Sequence, residues 1–220
     1  MVLPCRDEED ALGACLSTIK KVLSDNSLWG EIIVSDSSSD RSPEIAKDFG
    51  VIVVKHNKIG YGNAYLEGFK KITGDVVIMG DPDGSYDFNE ILNFLDALDC
   101  NDVVVGSRFK GKMERGAMPW SHRYLGSPLI LFLMRNLYGL NLTEPSTGFV
   151  AIRKDALDKM KLRQTGMEFA SEFLVEAKKR GLKIGEIAID YHLRRGESKL
   201  RTFRDGFRHL NFLIKRRIGN

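Results

Sequence analysis

The sequence predicts an α/β fold: a mostly parallel sheet flanked by helices. Short β-branched, apolar runs alternate with segments whose apolar residues recur every three or four positions. The chain's unusual polar residues gather where those short runs end, and in open parallel sheets that edge is where ligands bind. At 220 residues, the chain has room for one such domain with a sizeable core, so 1–220 is read as a single unit.

"MVLP" (1–4) reads as a first strand with almost no lead-in, followed by a helix over "EEDALGACLSTIKKVL" (8–23). "EIIVSD" (31–36) is the second strand and "SPEIAKDF" the next helical segment. "VIVVKH" (51–56) leads to "GNAYLEGFKKI", "DVVIMGD" (75–81) leads to "FNEILNFLDAL", and "DVVVGSR" (102–108) is the last clear strand. The strand runs are apolar at successive positions, so both faces are expected to be buried, as in βαβ units covered by helices. No repeat, low-complexity segment or linker divides the chain.

Composition narrows the function classes. With 43% hydrophobic and 29% charged residues, the chain is ordinary for a globular protein. Cys5, Cys15, Cys100 and four scattered histidines show no metal-ligand spacing, so a zinc site is not expected and a reduced, cytoplasmic setting fits. Pro4 and "CRDEED" interrupt the start, so no signal peptide is expected. The longest apolar run, "PLILFLM" (128–134), falls far short of the ~20 residues a membrane span needs. Charge is unevenly spread: residues 194–217 hold nine Lys/Arg against Glu197 and Asp205, a segment of +7 in a chain of +3. Such an end seeks phosphate groups on a nucleotide, a lipid or a nucleic acid.

"VVIMGDPDGSYDF" (76–88) drives a buried strand to its tip and places Asp81 and Asp83 there together. Two carboxylates that close repel unless a positive partner joins them. With 17 aspartates, about one D-x-D is expected by chance, and Asp, Pro, Gly and Ser also favour an ordinary turn. The position favours a metal reading: Asp81, Asp83 and Ser85 holding Mg²⁺ or Mn²⁺ against a diphosphate.

"PCRDEE", "VSDSSSD", "GYGNA", "GDPDGSYD", "GSRF", "GMEFASE" and "RGESKLRTFRDGFRHL" follow one another along the whole chain. In that order they resemble the inverting family 2 glycosyltransferases of GT-A fold, most of all the dolichol-phosphate mannose/glucose synthase branch. The resemblance implies a nucleotide-sugar donor, a divalent metal and a polyprenyl phosphate acceptor, with UDP-glucose favoured over GDP-mannose. It implies that Pro4, Arg6 and Glu8 cradle the nucleoside and that Asp36 reads the base, with Ser35 and Ser37 replacing the family's acid and glycine. Arg108 and Arg123 then face the acceptor phosphate and the transferring sugar phosphate, with Ser127 nearby, and act with Asp83 in catalysis. Arg194 and Lys199 of "RRGESK" neutralise the departing diphosphate. In "TEPSTGFVA" Glu144 stands for the family's Asp and Val150 for its Arg.

Several alternatives stay open on the residues alone. Asp36 and Asp40 also suit an Asx turn or helix cap before "PEIAKDF". Gly60 and Gly62 suit a tight helix entry as well as a ligand contact. Trp120, Tyr124 and the run after Pro128 read as core more readily than as a lipid groove. Glu168 and Glu172, one helical turn apart, suit a general base for a hydroxyl acceptor, whereas a phosphate acceptor needs none. Residues 203–214 place Phe203, Phe207, Leu210 and Ile214 on one helical face and Arg204, Arg208 and Asn211 on another. That amphipathic C-terminal helix suits peripheral attachment to the cytoplasmic face of an anionic membrane, or a cap on the fold. A soluble acceptor such as a phosphoglycerate or a glycan is the second enzyme reading. The third is a nonenzymatic nucleotide-sugar or RNA-binding module. Nucleic acid is not the expected partner, because the basic end lacks stacking aromatics on its charged face.

Overall fold

The computed structural model describes residues 1–196 and 202–218, and side chains of the last helix from 206 to 217. Seven strands form one sheet: β1 (Val2–Cys5), β2 (Ile33–Asp36), β3 (Ile52–Lys55), β4 (Val76–Met79), β5 (Val103–Ser107), β6 (Val150–Arg153) and β7 (Ile184–Ala188). Their order is β3-β2-β1-β4-β6-β5-β7. Only β6 runs against the others, pairing antiparallel with β4 and β5.

Helices cover both faces because alternate strand residues point opposite ways. Leu3, Val34, Ile78, Val104 and Ala151 pack one face, beneath α1 (Glu9–Asp25), α2 (Ser42–Asp48) and α4 (Ile91–Leu98). Their neighbours Val2, Ile33, Val77, Val103 and Ile152 pack the other. That face lies under α3 (Tyr61–Phe69), α5 (Ser127–Tyr138), α6 (Lys154–Lys159), α7 (Phe169–Lys179) and α8 (Thr202–Ile218).

The five expected strands and four helical segments form where the patterns put them, with a 3-10 turn, Phe88–Glu90, leading α4. β3 departs from the expected two-sided burial. It is the edge strand, and Ile52 is exposed. No described helix is long and apolar enough to cross a membrane.

Candidate active site

The chain leaves β1 for β2 and β3 on one side, then returns to β4 on the other. β1 and β4 are paired through Val2 and Met79, so their carboxyl ends diverge at a topological switch point. Arg6 to Glu8 follow one strand and Asp81 to Ser85 the other.

Asp83 is buried and fully engaged. Its Oδ1 accepts the Ser85 N–H at 2.9 Å and the Ser85 hydroxyl at 2.5 Å, closing an Asx turn. Its Oδ2 accepts from the Arg194 guanidinium. Arg194 arrives there because residues 191–195 lie across the turn. Tyr191 bridges Tyr86, His192 N–H donates to Ser85 O at 2.9 Å, and Arg195 N–H donates to Asp83 O at 2.8 Å. Ser85 thus shapes the turn.

Asp81 is in the opposite condition. Its Oδ1 is sealed from solvent and has no hydrogen-bond partner. Burial, then the Asp83 charge, push its carboxyl up to about 7, against the Tyr61 hydroxyl and Arg194. Gly148 makes room for it: a Cβ there would lie 2.4 Å from Asp81 Oδ2 and 2.7 Å from Tyr61 Oη. A sealed carboxylate oxygen with no donor suits a small hard cation. Among the described residues, no group of three or more His, Cys, Asp or Glu could hold a metal. Asp81 and Asp83 are the one or two carboxylates that would hold Mg²⁺ or Mn²⁺ with substrate phosphates completing the shell.

The nucleoside-side candidates are less open. Pro4 pairs with Ser35 in the sheet, and Arg6 is exposed beside Asp7. Glu8 N–H donates to Ser42 Oγ at 2.9 Å as α1 begins. Asp36 is fully buried: Oδ2 accepts from Lys55 Nζ at 2.6 Å and Oδ1 from Ser38 N–H at 3.1 Å. Asp40 likewise accepts from Ser42 N–H at 3.0 Å. The Asx-turn reading is what both side chains adopt. Gly60 and Gly62 serve close packing, since a Cβ on Gly62 would meet Gln164 O at 2.1 Å. Lys199 lies outside the described residues.

The two arginines expected to face the acceptor part company. Arg108 is buried, its Nε and Nη2 donating to Glu144 at 2.8 and 2.7 Å, with its guanidinium over the Tyr191 ring at 5.1 Å. That fork holds Glu144, itself fully buried, and is not presented to solvent. Arg123 is exposed on a π-helical turn (His122–Gly126), and Ser127 is buried where α5 starts.

Residues 1–161 match the family model described as glycosyl transferase family 2. The chain belongs to that family. As a family 2 glycosyltransferase it is 39% identical over 216 residues to the low-salt glycan biosynthesis hexosyltransferase Agl6 of Haloferax volcanii. That match takes in 97% of this chain and 52% of Agl6, so the chain spans about half of that relative's length. It is 32% identical to the dolichyl-phosphate hexose transferase of the same organism, covering 94% of this chain and 88% of the relative. The GT-A fold is shared with glucosyl-3-phosphoglycerate synthase from Mycobacterium tuberculosis, solved with Mn²⁺, uridine diphosphate and glucosyl-3-phosphoglycerate. The TM-score is 0.77 at 20% identity, over 99% of this chain and 78% of that one.

In this glycosyltransferase Glu168 and Glu172 are both buried and held. Glu172 accepts the Arg163 and Gln164 N–H groups at 2.9 and 2.7 Å, and burial pushes its carboxyl up. Glu168 Oε1 accepts from Arg208 at 2.6 Å, and its Oε2 is sealed from solvent. Glu172 presents no free base, while Glu168 keeps one oxygen without a hydrogen-bond partner, closed off from solvent. Sequence reading missed Tyr61 and Gly148 beside Asp81, and the Arg108–Glu144 pair across 36 positions. Glu144 did leave a signal, as an acid in "TEPSTGF".

Proposed function

We propose that this glycosyltransferase moves a hexose from a nucleoside-diphosphate sugar to a polyprenyl (dolichyl) phosphate, with inversion at the anomeric carbon. UDP-glucose is the favoured donor and GDP-mannose the next. The reaction depends on a divalent ion and takes place at the cytoplasmic face of a membrane. The observation that carries the donor half is the sealed, unpartnered Asp81 Oδ1 beside Asp83 at the switch point. When bound there, Mg²⁺ or Mn²⁺ supplies charge that stabilises a departing diphosphate. The similarity to a dolichyl-phosphate hexose transferase and a hexosyltransferase supports the acceptor half. So does the engagement of Glu172 by two backbone N–H groups and the sealing of Glu168 from solvent, because a phosphate is already an anion at neutral pH and needs no base to attack.

The chain's own groups then divide the work. A phosphate oxygen of the acceptor forms the new bond to the anomeric carbon as the bond to the diphosphate breaks, and no proton need move. Arg194, with Lys199, provides fixed positive charge for the leaving group. Arg123 meets the acceptor phosphate with a planar fork suited to two oxygens. Arg108 positions the Glu144 loop beneath. Tyr61 and Gly148 keep Asp81 in a dry setting.

A panel of UDP- and GDP-sugars assayed against a polyprenyl phosphate and 3-phosphoglycerate tests the assignment. Transfer to 3-phosphoglycerate alone would replace the lipid acceptor. In the same assay Arg123→Ala should raise the acceptor KM, or slow transfer, by about tenfold or more. Its donor affinity, followed by titration, should barely change. A large loss of donor affinity would move Arg123 to the diphosphate.

A further inference from the structure

Residues 191–195 are strung between two neighbours, and their hydrogen bonds alternate between them. Tyr191 N–H donates to Lys112 O at 2.8 Å, and Leu193 N–H donates to Glu114 Oε2 at 2.9 Å. His192 and Arg195 donate the other way, to Ser85 O and Asp83 O, where the Arg194 guanidinium also meets Asp83. On the 112–114 side the two backbones run together. Glu114 N–H donates to Tyr191 O at 2.8 Å, and Lys112 N–H donates to Asp190 Oδ1 at 3.0 Å. Gly111 permits that approach, since a Cβ there would lie 1.9 Å from Ile189 O.

The 112–114 segment also touches Arg123. Met113 bridges Tyr191 and places its sulfur 3.5 Å from Arg123 Nη1. The Arg123 guanidinium lies over the Tyr124 ring at 5.6 Å, and the Tyr124 and Trp120 ring centroids are 5.8 Å apart. This run, whose pattern reads as core, instead exposes Trp120 and Tyr124, and Leu129 and Phe132 beyond them on α5. Contacts therefore join the Asp83 turn to the Arg123 turn through the 191–195 strip and residues 112–114. Glu114 is the joint in that chain that a side chain supplies. It is half-exposed, faces His192 Nδ1 at 3.7 Å, and is tied to Leu193, the residue beside Arg194.

We propose that Glu114 is a positioning residue that couples the donor-side and acceptor-side arginines. When Arg194 leaves Asp83 for a diphosphate, the strip that carries it shifts. The Leu193–Glu114 bond passes that shift to Met113, and so to Arg123. Without the bond, the shift is absorbed between Leu193 and residue 114. The proposal rests on the reading in which Arg194 meets the donor diphosphate and Arg123 the acceptor phosphate. It adds that the two bindings are linked, and linkage is reciprocal.

The test uses Trp29→Phe, which leaves Trp120 as the only tryptophan and so as the reporter of the Arg123 turn. Saturation with UDP or GDP and Mn²⁺, with bound nucleotide counted by calorimetry, should change Trp120 emission before any acceptor or detergent is added. The nucleotide should then change the Kd of a short-chain polyprenyl phosphate in detergent about fivefold or more, and the acceptor should change the nucleotide's Kd by the same factor. Glu114→Ala in this background should abolish the emission change and bring both factors below about twofold, with thermal unfolding close to the parent's. Glu114→Gln, which keeps an oxygen for the Leu193 N–H and drops the charge facing His192, should retain the parent's responses. A Trp120 signal that ignores saturating nucleotide in the parent, or that responds equally in Glu114→Ala, overturns the proposal. Equal loss in Glu114→Gln and Glu114→Ala overturns it as well, because the hydrogen bond would then not be the joint. If Trp120 responds through Glu114 but no polyprenyl phosphate is glycosylated with any donor, the acceptor reading fails and the coupling stands.

Discussion

Asp83 Oδ2 already holds a cation, the Arg194 guanidinium, so the proposed divalent ion would have to compete for it. Arg194→Ala should therefore have two effects of opposite sign. Mn²⁺ affinity without nucleotide, read from free Mn²⁺ by electron paramagnetic resonance, should rise several-fold. Turnover should fall, because a fixed positive charge on the leaving diphosphate is lost. Asp83→Ala should lose both, and equal Mn²⁺ affinity in wild type and Arg194→Ala would remove the competition. Asp81 gives a pH signature. Its carboxyl, lifted from 3.8 to about 7, binds a proton more tightly folded than unfolded. Its contribution to metal-free stability is thus complete below about pH 4 and is lost as pH rises toward 7. In chelator, Asp81→Asn should flatten the melting temperature against pH across that window, and parallel curves would contradict the assignment. The carboxylate pair was legible because a strand pattern ran straight into it. Its supports were not. Tyr61 at a helix start reads as core, and nothing near Gly148 reports that Asp81, 67 positions away, leaves no room for a Cβ.

Among elements, the β1 to β5 strands were readable because each combines β-branched residues with a bounding turn. β6 and β7 were not: β6 follows the long 139–149 loop after α5, and in β7 Gly185 and Glu186 interrupt the apolar run. The outward face of α5 escaped for a different reason. A helix apolar on nearly every side gives no periodicity to say which side is buried. The α7–α8 contact shows how α8 is retained despite its exposed face. Arg208 meets Glu168, Arg216 meets Glu176 at 2.5 Å, and Ser171 Oγ lies 2.6 Å from His209 Nδ1. The two ion pairs are separated by 8 residues on each side of the contact, so they fix register as well as position. Glu176 is buried and also accepts Lys161 N–H at 3.2 Å, so removing it strands several donors at once. Glu176→Ala should cost about 2 kcal/mol in urea unfolding, the range for a buried acceptor of charged and backbone hydrogen bonds whose arginine stays partly wet. Early proteolytic release of α8 should accompany it. A loss below about 0.5 kcal/mol would show that apolar packing by Phe212 and Leu213 alone retains the helix.

At the scale of the molecule, the sheet sets the reaction crevice at one edge while charge and apolar exposure gather on α5 and α8. On the proposed membrane reading the two helices attach by different forces, and salt separates them. Basic side chains near an anionic surface contribute roughly 1 kcal/mol each, and their field is screened beyond about 8 Å at physiological ionic strength. Apolar insertion is not screened. Vesicle binding should therefore fall steeply between low salt and about 0.5 M, then level off at a residual set by the α5 face. Lys215→Glu with Arg217→Glu should remove the steep part and leave the plateau, because both side chains are exposed and neither enters a described ion pair. Leu129→Ser with Phe132→Ser, both exposed on α5, should lower the plateau and leave the slope. Sedimentation with vesicles across a salt series resolves the two terms, and a single salt-insensitive curve for the wild type would mean that the basic end contributes nothing to attachment.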